Sequence, residues 1–231
     1  DTDKKLKILE DFNFTKTEIK KIKKSLLSLT NNIIDTNNGL WKSDIKKIDI
    51  LEEKYQIIMN SKLDDYGKIY WLIEDCKRYG TLPFAGLARA GFIAIEMLKS
   101  FVNKNIISKT EYNLFLESLN TISGLLVTDI NKLSKNQFLK KYGHLRPGTY
   151  DILSKSYSEY YNSYFKFKEI KNTNNKKKYF KFSKESIKNL DSFIEKTKLR
   201  INANELITFI KEAIEAREYS KFIFTKNVSS I

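Results

Sequence analysis

The chain has 231 residues, of which 42 are Lys or Arg and 28 are Asp or Glu, leaving a formal charge of +14. Its length and 41% hydrophobic content allow a substantial core in one or two domains. No apolar run approaches the roughly 20 residues that span a bilayer, and the charged start at 1–7 lacks the apolar core of a secretory signal. The single Cys76 and single His144 supply neither a disulfide framework nor a metal cage. A soluble, cytoplasmic protein with no membrane partner and no metal is expected.

The charge invites a nucleic-acid reading, because clustered cations release counterions from phosphate backbones. Only Arg78, Arg89, Arg146, Arg200 and Arg217 are arginine, however, while Lys, Asn and Ile recur in every segment. That pattern is a compositional bias, no recognition-module signature accompanies it, and nucleic acid is not an expected partner. The bias makes arginine informative, since an Arg kept where Lys would serve for solubility suggests a need for the planar guanidinium.

Helical periodicity runs through most of the chain. Thr15 with Glu18 and Ser108 with Glu111 have capping-box spacing and predict helices over 16–34 and 109–134. Segments at 44–60 and 64–79 follow, with Gly80 placed to end the second and Pro83 to begin a helix over 83–104. That helix is apolar on several sides, which predicts a central position. An aromatic-rich stretch holds Tyr157, Tyr160, Tyr161, Tyr164 and Phe165, and further helices start near Ser183 and Asn202. Period-two alternation on both sides of 172–175 suggests a small β-hairpin or flexible excursion within 165–182. No repeat or linker divides the chain, so one all-α, multi-helix domain over 1–231 is expected. Asp1 in place of an initiator Met, and a last helix still helical at 221–225, lead us to expect a piece of a longer chain.

No Gly-rich phosphate loop, dinucleotide fingerprint or serine elbow is present, so neither a complete catalytic apparatus nor a cofactor is expected here. Around 138–151 two glycines, Pro147, His144 and Arg146 converge. A shaped loop there either presents His144, Arg146, Tyr150 and Asp151 to a polar or anionic ligand or uses them to tie down backbone. Arg89 interrupts an apolar helix among small residues and shares a face with Glu96; it is either a ligand contact or part of a solvated edge. Arg217 and Lys221 continue the line of Ile210 and Ile214, and they either snorkel from that face or meet a buried anion.

Residues 82–94 (LPFAGLARAGFIA), 142–152 (YGHLRPGTYDI) and 216–226 (AREYSKFIFTK) together resemble the central helical domain of phosphoenolpyruvate-synthase-like phosphotransferases. The resemblance is closest to the branch found with bacterial surface-polysaccharide genes, which includes L-glutamine kinases that make a phosphoramidate precursor for capsules. It covers about 80–231 in the same order, the middle motif being the most specific; 1–80 match nothing beyond a helical bundle. The resemblance implies a three-part enzyme: an ATP-grasp domain holding ATP and Mg2+, this substrate-binding domain, and a swivelling domain whose histidine carries the phosphoryl group. Both outer parts are missing from this chain, and the carrier-histidine motif with them, so His144 is expected to line the acceptor pocket instead. His144 and Arg89 are then the candidate catalytic residues. Arg146, Tyr150, Asp151, Arg217, Glu218 and Lys221 are the candidate substrate-binding residues, the cations balancing charge on the phosphoryl group or a substrate carboxylate. One solvent-reachable cavity bordered by Arg89, His144 and Arg217 is expected, with Glu218, Glu96 or Asp151 as counter-charges. The rivals are a phosphoenolpyruvate synthase, an antibiotic phosphotransferase, and a non-catalytic helical interaction module.

Overall fold

The computed structural model describes residues 2–147, 153–165 and 179–231. The architecture is all-α. A short helix α1 (Thr2–Lys7) and a 3-10 turn (Ile8–Phe12) lead through Asn13, in the left-handed region at φ 64°, to α2 (Lys16–Ile34). Then come α3 (Leu40–Met59), α4 (Asp65–Asp75), a π-helical turn (Cys76–Gly80) and α5 (Thr81–Asn103). The remainder comprises α6 (Lys109–Ser118), α7 (Ile122–Asp129), α8 (Lys135–Tyr142), α9 (Tyr157–Tyr164), α10 (Lys184–Thr197) and α11 (Ala203–Val228).

Local chemistry accounts for most of the boundaries. Thr15, Ser108 and Asn202 each accept the backbone N–H three residues on, while Glu18, Glu111 and Glu205 return the bond to the cap. Each reciprocal pair satisfies amide donors that a helix start otherwise leaves open. Ser183 caps α10 in the simpler way, accepting from the Ser186 amide.

Two expectations are corrected. The helix predicted over 109–134 is divided, because Leu119 turns extended (φ −72°, ψ 147°), Thr121 caps α7, and Ser134 with Gln137 forms a separate capping box for α8. Gly80 does not end a helix either: the chain runs on as one continuous helix over Asp65–Asn103. Pro83 has no N–H to return to the carbonyl four residues back, and the widened turn before it relieves the mismatch, with the Thr81 amide bonding to the Cys76 carbonyl instead. The hairpin expected within 165–182 falls largely outside the described residues, since 166–178 are not among them; no strand occurs among those that are.

The core is a three-helix unit in which α5 and α11 pack along each other and α3 lies against both. Gly91 meets Arg217 while Phe84, earlier in α5, stacks on Phe224, later in α11, so the pair is antiparallel. Leu87, Ala90, Ala94 and Leu98 from α5 are buried with Phe209, Ile210 and Ala213 from α11 and with Ile48 and Leu51 from α3. Alanine and glycine at this seam let the two axes approach closely. By length and composition the Asp65–Asn103 helix could cross a bilayer; here its second half is the central helix between α3 and α11.

Candidate functional site

Of the residues singled out in the sequence, His144 packs on the last third of α11, and the others are placed separately. Helix α8 ends at Tyr142, which is buried with its hydroxyl donating to Asp129 Oδ2 at 2.8 Å. Lys141 pairs with the same oxygen at 2.7 Å. Gly143 follows where a β-carbon would stand 2.6 Å from Ser158 Oγ, and its carbonyl accepts from both the Ser158 amide (3.0 Å) and hydroxyl (2.7 Å). With the Tyr157 amide donating to the Leu145 carbonyl at 2.8 Å, the loop is stapled to the start of α9. That start carries its own capping box, Ser156 with Glu159.

His144 is set by this staple against α11. Its ring meets the edge of Phe222 at 4.8 Å between centroids, and Tyr142 meets the same ring at 5.7 Å. Nε2 is buried with no hydrogen-bond partner among the described residues. Burial, and then the positive charge of Lys226, lower the imidazole to about 4 against the opposing effect of the Phe222 backbone. At neutral pH His144 is therefore an uncharged ring whose buried Nε2 can accept a hydrogen bond. Lys226 pairs at 2.8 Å with Glu52 of α3 and lies 4.6 Å over the Tyr55 ring.

Arg217 sits elsewhere on the same helix. Its stem lies in the notch left by Gly91, and its guanidinium stands 4.6 Å over the face of Phe92, a cation–π contact on an exposed ring. Five residues of α-helix turn a side chain through about 140°, so Arg217 and the Phe222 face that meets His144 point to different flanks of α11. Arg89 is exposed and acts on Asp44 of α3, whose carboxyl burial raises while Lys47 and Arg89 oppose the rise. Among the described residues no hydrogen bond, ion pair or ring contact joins Arg89, His144 and Arg217.

Arg146 holds its own loop, with Nε donating to the Ser154 carbonyl at 3.0 Å and the guanidinium 4.0 Å from Glu159. Glu96 is held by Lys99 at 2.8 Å. Glu218 and Lys221 are half-buried on α11. Tyr150 and Asp151 lie outside the described residues. Among the described residues no group of three or more His, Cys, Asp or Glu is placed to hold a metal ion.

Sequence reasoning missed two features. One is the part-buried Glu52–Lys226 pair, whose members are 174 residues apart with no local signal to link them. The other is a groove of about 590 Å³ lined by Phe115, Phe180, Phe182, Ile207 and Lys211 among others. None of the candidate residues lines it, and the alternation around Phe180 and Phe182 had suggested a hairpin.

No known protein family, curated protein or solved structure matches this chain.

Proposed function

We propose that this chain is the acceptor-binding domain of an ATP-dependent phosphotransferase that works through a phosphohistidine carrier, with L-glutamine or a similarly small acceptor as substrate in surface-polysaccharide modification. The reading starts from the resemblance of three separated segments. One observation carries it further: described parts of those segments pack on one another, 82–94 against 216–226 through Gly91–Arg217 and Phe84–Phe224, and 142–147 against 216–226 through Tyr142 and His144 on Phe222. In this reading Arg217, braced on Phe92, binds an anionic group of the acceptor, and His144, buried against Phe222, positions the loop that follows α8. ATP and Mg2+ belong to an ATP-grasp domain, and the phosphoryl carrier to a swivelling domain of the same polypeptide.

The test uses that longer polypeptide with labelled ATP. Arg217→Ala and His144→Ala are expected to leave labelling of the carrier histidine intact while transfer to L-glutamine is lost. Native transfer rates in both variants would overturn the reading, and transfer to pyruvate or an aminoglycoside in place of glutamine would move it to the rival enzymes. A non-catalytic helical module is the second reading, favoured by the separate contacts that Arg89, His144 and Arg217 make.

A further inference from the structure

The first helices carry a surface that the proposed function does not use. In α2, Ile19, Ile22, Leu26, Leu29 and Ile33 follow the 3-4-3-4 spacing that aligns side chains along one face. Ile33 is buried and anchors the helix to the domain, yet Leu26 and Leu29 are 44% and 47% exposed. The 3-10 turn that precedes it also exposes Ile8 and Phe12, at 56% and 68%. Lys16, Lys20, Lys21, Lys23 and Lys24 stand on this helix against a single acid, Glu18.

The placement of those lysines says what covers the stripe. At about 100° per residue, Lys20, Lys21 and Lys24 stand on the side of α2 away from Leu26 and Leu29. A second helix seated in the seam, from a partner or from a second copy of this chain, would leave those charges unanswered. A planar anionic surface does reach them, because a helix is only about 10 Å across and charges act over about 8–10 Å in physiological salt. An apolar stripe bearing Leu and Phe, backed by a lysine-rich polar face, is the arrangement of a helix that lies in a membrane interface.

We infer that α2 and the turn before it form a peripheral docking surface for anionic lipid, with Ile8, Phe12, Leu26 and Leu29 entering the headgroup boundary and the lysines held by lipid charge. This differs from a membrane span: the helix lies along the surface and the domain remains in water.

The experiment is flotation of the full 231-residue chain with vesicles of phosphatidylcholine alone or with about 30% phosphatidylserine. The chain is expected to float with the anionic vesicles, to remain behind with the neutral ones, and to be released by added salt. Leu26→Asp with Leu29→Asp is expected to abolish flotation although every lysine is kept. Lys20→Gln with Lys21→Gln and Lys24→Gln lowers partitioning about tenfold or more, since each lysine near the surface contributes about fivefold. Circular dichroism checks that both variants keep the native helix content. Failure of the native chain to float at low salt overturns the inference. So does undiminished flotation of the double aspartate variant, which would reduce the contact to charge alone. A concentration-dependent dimer dispersed by the same two aspartates also overturns it, because the stripe would then be an interface between copies.

Discussion

Arg217 lies across Gly91, so that a β-carbon at position 91 would stand 2.8 Å from Arg217 Cδ, 3.0 Å from its Cβ and 3.3 Å from the Ala213 carbonyl. The carbonyl belongs to the neighbouring helix and cannot rotate away. Gly91→Ala is therefore expected to push α5 and α11 apart and to cost about 1–3 kcal/mol, as overpacking of a close seam does. Thermal or urea unfolding measures it. A loss below about 0.5 kcal/mol would mean that the seam has slack, and that the glycine does not set the position of Arg217 over Phe92.

The imidazole of His144 resists protonation, at about 4 against the ordinary 6.5 of a free histidine. For a base depressed in the folded state, the unfolded chain takes up the proton first. The associated stability is present above pH 6.5, is lost progressively as pH falls towards about 4, and amounts to about 3 kcal/mol at most. His144→Gln should flatten this part of the stability profile between those limits, leaving the carboxylates to account for the rest. An identical acid limb in native and variant protein would count against a buried neutral imidazole.

Lys226 bears on the same group. Its charge helps hold the His144 ring neutral, and Glu52 in turn holds the ammonium with only 15% of the Lys226 side chain exposed. Lys226→Met should raise the His144 titration, read by NMR of the ring protons. Glu52→Gln should destabilise by about 3 kcal/mol, because it strands a largely buried cation. A His144 titration unmoved by Lys226→Met would show that burial alone sets it.

Glu111 ties two helix starts together. It closes the capping box of α6, and its Oε1 accepts from the Ser183 amide (3.2 Å) and the Ser186 hydroxyl (2.8 Å) at the start of α10. Burial alone would raise its carboxyl, but the bonds from Ser108, Ser186 and Ser183 prevail and bring it down to about 2. A depressed carboxylate contributes stability above about pH 4.5 that is lost as pH falls towards 2. Glu111→Gln is expected to cost about 1–3 kcal/mol at neutral pH and to loosen the start of α10, seen as faster amide exchange at Ser186. Unchanged exchange there would confine Glu111 to its own cap.

The sequence by itself determined the all-α class and the starts of α2, α6, α10 and α11, because an N-cap is chemistry within three residues: Thr15 needs only Glu18, and Asn202 only Glu205. It also marked Arg89, His144 and Arg217 as unusual for their surroundings. It did not determine where the long helices divide. At Gly80 the residue that usually stops a helix sits against Phe224, and α11 supplies the reason for a small residue there. Nor could it show that His144 and Arg217 take different flanks of α11, that Glu111 reaches Ser186 75 residues on, or that Glu52 meets Lys226. Those pairings depend on how helices distant in the chain are brought together, and a buried charge or a notch in a seam exists only once α3, α5 and α11 have packed.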